Sequence, residues 1–269
     1  MLTDSLVVSD LDGTLLNNAH SLDPLTIQTF QELQQRGVPL AIASGRHVVD
    51  IRVVRSLLGV STYIISSNGA HLYDPDDNLL FEELLSPELV KKLTSVERPD
   101  SVRLNLYTAD AWYIDRANKA IRDFHASTGF EYEVDPSIVN SAHNGVGKVL
   151  YIGEPELLAK IEADLRESLG DSVYITYALP NSLEVMSAGV NKAHAVRDLL
   201  GRIGLSAENC IAFGDNLNDI QMLEYVGHGN IMANANPLLF EVLPSVNVIG
   251  NNDEAGVAHE LRKRFGLKD

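Results

Sequence analysis

The residues best suited to chemistry in this sequence are acidic, and they lie toward opposite ends of the chain. Asp10-Leu11-Asp12-Gly13-Thr14 follows a short β-branched run, Leu6-Val7-Val8. Two positions apart on an extended chain, Asp10 and Asp12 share one face at the carboxyl end of that strand, which is the edge where open α/β sheets bind ligands. Read alone, the segment fits an Asp-Gly hairpin turn equally well. Three further segments bear on the choice: Ser44-Gly45-Arg46 after Ala41-Ile42-Ala43, Lys192 at the start of a helix, and Gly214-Asp215-Asn216-Leu217-Asn218-Asp219 after Ile211-Ala212-Phe213. Asp10 and Asp215 brought to one sheet edge repel unless a hard cation lies between them, and Mg²⁺, which takes a few carboxylates and keeps several waters, is the natural ion. Ser44 offers a hydroxyl, Gly45 lets backbone N–H groups approach, and Lys192 offers a point charge, which together suit a phosphate. The set reads as a metal-assisted phosphoryl-transfer pocket.

These residues need a parallel sheet to bring them together, and the chain carries its signals. The runs Leu6 to Val8, Val38 to Ala43 and Tyr63 to Ile65 are separated by stretches of helical period, which suggests βαβ units. The first such stretch has Asp23 as N-cap, Pro24 at the first helical position and Gly37 behind it. A second helix is expected over His47 to Leu58 with Gly59 as its stop. The alternation resumes with a helix over Asn191 to Ile203, a buried strand over Cys210 to Phe213, and helices near Asp219 to Tyr225 and Asp253 to Phe265. The middle differs, with alternating strands at Val102 to Tyr107 and Trp112 to Ile114, a helix over Pro155 to Leu169 and a strand at Val173 to Tyr177. Asp74-Pro75-Asp76-Asp77-Asn78 reads as a hairpin turn between His71-Leu72-Tyr73 and Leu79-Leu80-Phe81. The fold class is therefore α/β, a Rossmann-like parallel-sheet core with an inserted α/β domain. The expected division is a catalytic core of residues 1–84 and 188–269, with residues 85–187 inserted as a cap.

Composition supports an ordinary globular protein. The 269 residues include 21 Lys plus Arg and 37 Asp plus Glu, a net charge of −16, so nucleic acid and anionic membranes are not expected partners. One cysteine, Cys210, cannot form an intrachain disulfide and reads as a small buried residue. No run approaches the ~18 apolar residues of a membrane span, and the first residues do not read as a signal peptide, so a cytoplasmic location is expected. The sequence leaves oligomeric state open.

The four motifs, in this order, resemble the haloacid dehalogenase superfamily. The long gap between the second and third motifs resembles its Cof-type branch, as do Ser67-Asn68-Gly69-Ala70, Leu183-Glu184-Val185-Met186 and Ile231-Met232-Ala233-Asn234-Ala235. The resemblance implies an α/β cap and an activity on small phosphorylated metabolites, such as pyridoxal phosphate, sugar phosphates or pyrimidine phosphates of thiamin synthesis. It implies Asp10 as a nucleophile forming an aspartyl-phosphate and Asp12 as the acid that protonates the leaving group and later takes a proton from water. Mg²⁺ would be held by Asp10, Asp215 and the main-chain carbonyl of Asp12. Ser44, Lys192, Asn218 and the backbone at Leu11 and Gly45 would hold the phosphoryl oxygens. Asp219 would steady the metal shell or Lys192, and Thr14 would brace the loop. Arg46, His47, Asn68 and Glu184 are candidates for substrate contact by position. Two alternatives share the acidic pocket: a sugar phosphomutase, and a phospho-aspartate signalling receiver.

Other signals carry less. Asn144-Gly145-Val146-Gly147-Lys148 resembles the end of a P-loop but lacks its first glycine and final hydroxyl residue, and reads as a glycine-rich turn. The eight histidines show no zinc spacing. Tyr107, Trp112 and Tyr113 offer rings for stacking on a substrate, or a packed cap core.

Overall fold

The structure, a computed structural model, describes residues 5–124 and 129–268. The first half of the core runs β1 (Leu6–Ser9), α1 (Pro24–Gln35), β2 (Leu40–Ala43), α2 (Val48–Leu58), β3 (Tyr63–Ser66), β4 (His71–Tyr73) and β5 (Leu79–Glu82). The middle contributes α3 (Pro87–Thr94), β6 (Arg103–Tyr107), β7 (Trp112–Ile114), α4 (Lys119–Phe124), β8 (Glu133–Val134), β9 (Lys148–Ile152), α5 (Pro155–Leu169), β10 (Val173–Leu179) and β11 (Ser182–Ser187). The chain then returns through α6 (Lys192–Ile203), β12 (Cys210–Gly214), α7 (Ile220–Tyr225), β13 (His228–Met232), α8 (Pro237–Val242), β14 (Asn247–Ile249) and α9 (Gly256–Phe265).

Two sheets result. One has the order β14-β13-β12-β1-β2-β3-β4-β5, parallel from β14 to β3, with the β4–β5 hairpin added antiparallel. Side chains alternate across it: Val7 faces Phe30, Ile51 and Leu261 from α1, α2 and α9, while Leu6 and Val8 face Ala195, Val196 and Leu199 from α6. A parallel sheet buried on both faces is the doubly wound arrangement the β-branched runs predict. The second sheet, β10-β11-β9-β6-β7-β8, is antiparallel except where β7 meets β8. Its Val149, Tyr151, Leu183 and Val185 pack beneath Val90 of α3 and Leu158 and Ile161 of α5. The opposite face carries Lys148 and Glu184, and it is turned toward the core.

Local signals account for the helix ends. Asp23 accepts from Leu25 N–H, Pro24 opens α1, and Asn191 accepts from His194 N–H to start α6. The expected helix from Asp253 is a correction: Asn252–Glu254 form a 3₁₀ turn, Ala255 adopts φ +51°, and α9 begins only at Gly256. The cause is competition for the backbone. The Asn251 side chain accepts from Asp253 N–H, and Asn252 is held by Asn234 Oδ1 and the Leu16 carbonyl. Tyr107 and Trp112 are buried in the second sheet's own cluster, with Trp112 Nε1 donating to Asn105 Oδ1 at 2.9 Å.

α6 carries Lys192, and its hold on the sheet rests on Ala195, Val196, Leu199 and Leu200. Leu199→Ala should therefore lower unfolding free energy by about 2–5 kcal/mol in urea denaturation, because the cavity opens between the helix and the sheet it packs on. A loss well under 1 kcal/mol would contradict this packing.

Candidate active site

Four neighbouring parallel strands end at one edge, and each is followed by a site residue. In sheet order these are Asp215 after β12, Asp10 after β1, Ser44 after β2, and Asn68 in the turn after β3. The register is closed by Asp10 N–H donating to the Phe213 carbonyl at 3.0 Å and Ser44 N–H to the Ile65 carbonyl at 2.9 Å. The isolated hairpin at Asp12-Gly13 does not form. Instead the Leu11 carbonyl accepts from Thr14, Leu15 and Leu16 N–H, wrapping the chain into a tight loop over the strand end. Gly13 sits at φ +77° with Asp215 pressed against it, so an added Cβ would lie 2.4 Å from Asp215 Oδ2.

Lys192 is fully buried at the centre, with Nζ 2.6 Å from Asp10 Oδ1 and 2.7 Å from Asp219 Oδ1. The other oxygen of Asp219 accepts from the N–H groups of Asp215 and Asn216 at 3.0 Å each. Thr14 Oγ1 donates to Asp215 Oδ1 at 2.8 Å, which fixes the loop to the end of β12. Asp10, Asp215 and Asp219 each place an oxygen within 4.8 Å of the others. Burial pushes the Asp10 carboxyl well above the usual range, against the pull of Lys192 and with Asp219 and Asp215 adding to the rise. Burial and Asp219 push Asp215 up to about 7. Lys192 is held charged, because Asp10 and Asp219 outweigh its own burial. Three crowded carboxylates facing one lysine fit a divalent cation by donor type and by charge.

Asp12 lies differently. Its carboxylate is gripped by Arg46, Nε to Oδ2 at 2.7 Å and Nη2 to Oδ1 at 2.5 Å, and His20 Nδ1 lies 3.5 Å away. Burial opposes its charge, but these bonds to His20 and Arg46 hold the carboxyl well below its ordinary range. The side chain therefore stands outside the cluster of Asp10, Asp215 and Asp219. Ser44 Oγ accepts from Arg46 N–H at 3.2 Å, and Asn218 Nδ2 donates to Asn68 Oδ1 at 3.1 Å. Asn68 adopts φ +58° and donates to Glu184. His47 caps α2, accepting at Nδ1 from Val49 N–H, while Nε2 meets the Thr108 carbonyl at 2.9 Å. Its ring stacks on Phe130, and burial pushes its pKa down to about 4.

Three further residues escaped sequence reading. Lys148, dismissed with the glycine-rich turn, is buried with Nζ 2.6 Å from the Gly45 carbonyl and 2.5 Å from Glu184 Oε1. Asn234 Nδ2 donates to the Gly13 carbonyl at 2.7 Å and so holds the loop after Asp10 from the far side. His20 approaches Asp12 from a positive-φ turn. Only Asn234 had a signal, as part of the segment Ile231 to Ala235.

The sequence profile of haloacid dehalogenase-like hydrolases matches residues 7–261. The chain belongs to that family. A Haemophilus influenzae protein is 40% identical over 266 residues, covering 97% of both chains. The HMP-PP phosphatase of Cronobacter sakazakii is 34% identical over 252 residues, or 94% of this chain and 92% of that one. The crystal structure of a haloacid dehalogenase-like hydrolase from Bacteroides thetaiotaomicron superposes with a TM-score of 0.85 at 26% identity, covering 97% of this chain and 99% of the other. The resemblance read from the four motifs is borne out, as is the α/β class, and this family member is a phosphatase. Among the described residues no helix is long and apolar enough to cross a membrane.

A carboxyl raised to about 7 in the folded state keeps a proton that the unfolded chain has released. Its stabilising contribution is complete below the unfolded carboxylate range and is lost as pH rises through about 7. Asp10 and His20, also raised, act with the same sign. Burial holds His47 and His71 neutral down to about pH 4, and these act with the opposite sign below about pH 6.5, so thermal unfolding of metal-free protein should show falling stability from about pH 6.5 to about pH 8. A divalent cation competes with the same protons, so the increase in Tm on adding MgCl₂ should grow over that interval. An equal increase at both ends would contradict the assignment.

Proposed function

We propose that the protein hydrolyses phosphate esters of small metabolites through an aspartyl-phosphate on Asp10, with Mg²⁺ as its cofactor, in a cytoplasmic setting. The observation that supports this best is the placement of Asp10: buried, bonded to Lys192, and flanked by Asp215 and Asp219 at the end of the central strand. In the division proposed, residues 1–84 and 188–269 are the catalytic core and residues 85–187 the cap that sets substrate choice. Mg²⁺ bound by Asp10, Asp215 and the Asp12 main-chain carbonyl would offset the charge of the phosphoryl oxygens.

The chain's own groups then divide the work. The Asp10 carboxylate attacks phosphorus, the ester P–O bond breaks, and the leaving oxygen takes the bonding pair and a proton from Asp12. Water attacks the phosphorus of the aspartyl-phosphate and gives its proton to Asp12, and phosphate departs to restore Asp10. In the structure Asp12 is an ionised partner of Arg46, the form suited to taking the proton from water. Donation in the first half requires Asp12 to leave the guanidinium. Lys192, Ser44, Asn218 and the backbone at Leu11 and Gly45 hold the phosphoryl oxygens, with Asp219 holding Lys192 in place. Of the candidates for substrate contact, Arg46 is bound to Asp12, His47 to the Thr108 carbonyl, Asn68 to Asn218 and Glu184 to Lys148.

The Cronobacter sakazakii relative is named for HMP-PP, so that compound joins pyridoxal phosphate and sugar phosphates in the panel that tests the reading. Wild type with MgCl₂ should release inorganic phosphate from at least one of them, without the isomerised product of a mutase. Asp10→Asn should reduce release below detection, and Asp12→Asn should lower kcat by about 10²–10⁴-fold on substrates with alkoxide leaving groups. Undiminished turnover by Asp10→Asn would overturn the mechanism.

A further inference from the structure

Alternation along β9 and β11 sends Val149, Leu183 and Val185 into the apolar layer under α3 and α5, and sends Lys148 and Glu184 out of the opposite face toward the core. Both side chains are almost wholly buried, and each finds one partner across the gap between the sheets. Lys148 Nζ donates to the Gly45 carbonyl at 2.6 Å and to Glu184 Oε1 at 2.5 Å, and lies 4.5 Å from the centre of the Tyr107 ring. Glu184 Oε2 accepts from Asn68, whose own oxygen accepts from Asn218 at 3.1 Å. One chain of bonds thus runs from Gly45 through Lys148, Glu184 and Asn68 to Asn218. Its two ends are the loop and the amide read above as holding the phosphoryl group. It passes through the second sheet in the middle.

The residue at the crossing leaves no slack. A Cβ at Gly45 would lie 3.0 Å from Asn68 Oδ1 and 3.3 Å from Glu184 Oε2, so glycine is what lets the carboxylate of the second sheet rest on the loop. A carbonyl that accepts a charged donor is fixed in direction, and fixing the Gly45 carbonyl also fixes the peptide plane on which the next N–H, that of Arg46, is carried. We propose that Lys148 and Glu184 are positioning residues: docked against the core, they set the Ser44-Gly45-Arg46 loop and Asn218 in the geometry that holds phosphate. The phosphate site is thereby completed by the cap, and an undocked cap leaves it slack. The proposal rests on the reading of Ser44, Gly45 and Asn218 as phosphoryl-holding groups.

The test is competitive inhibition by inorganic phosphate, measured with MgCl₂ on a substrate the wild type turns over. Lys148→Met alone leaves Glu184 buried without its cation and endangers folding, so the informative protein is Lys148→Met combined with Glu184→Gln, which keeps an acceptor for Asn68. Its Ki for phosphate and its KM should both rise about tenfold, with a smaller change in kcat, and Lys148→Arg should recover part of the loss. A role in stability alone would lower Tm or the active fraction and leave Ki unchanged, which would overturn the proposal. Ser44→Ala, run in parallel, separates the two failures. If it raises Ki and the double variant does not, positioning by Lys148 and Glu184 is wrong. If Ser44→Ala leaves Ki unchanged, the phosphate-holding reading falls and the proposal falls with it.

Discussion

A single buried lysine facing three carboxylates is the constraint on which the rest of the site depends. Lys192 has no exposure, and Asp10, Asp215 and Asp219 place oxygens within 4.8 Å of one another beside it. Burial alone would drive such acids to their neutral forms. The protein spends its donors unevenly against that tendency. Asp219 receives Lys192 and two backbone N–H groups, Asp215 receives a threonine hydroxyl, and Asp10 receives Lys192 at one oxygen. The acids are thus ranked, with Asp219 the best satisfied. Asp10 and Asp215 retain the lone pairs that a cation would take. In the reaction proposed, a phosphorylated substrate would add further negative charge to the same space, which a cation there would offset.

The fold enforces this crowding by topology. Parallel strands with adjacent registers end together, so β12, β1, β2 and β3 deliver Asp215, Asp10, Ser44 and Asn68 to one edge with no long loop between strand and side chain. Rigid placement costs little here because the strand ends are buried on both faces. The second sheet then closes the open side with bonds from several strands: Lys148 and Glu184 from β9 and β11, the Ala178 carbonyl of β10 to Asn216, and Thr108 to His47. In the reading proposed, the same contacts would also orient the loop that holds phosphate.

What the sequence revealed follows from range. Asp10, Ser44, Lys192 and Asp215 stand beside their own strand ends or helix caps, and β-branched runs, Pro24, Asn191 and Gly59 mark those ends within a few residues. The helix expected from Asp253 starts only at Gly256 because Asn252 is claimed by Asn234 and Leu16, contacts distant in the chain that local pattern cannot register. Lys148 stayed hidden for the same reason. Its partners lie 103 and 36 positions away, and a lysine after a glycine-rich turn ordinarily reads as solvated. The ion pair of Asp12 with Arg46 was equally out of reach, although both residues were named, since spacing gives no hint that the carboxyl expected to donate a proton is held ionised by a guanidinium.

Covalent phosphorylation of Asp10 is the central step of the proposed reaction, and trapping that species tests it most directly. Wild-type protein mixed with MgCl₂ and a turned-over substrate, quenched in acid within the first turnover, reduced with borohydride and digested, should yield homoserine at position 10 in the peptide spanning Leu6 to Thr14. Conversion of a different carboxylate, or a full burst of phosphate with Asp10 unmodified at every quench time, would contradict it.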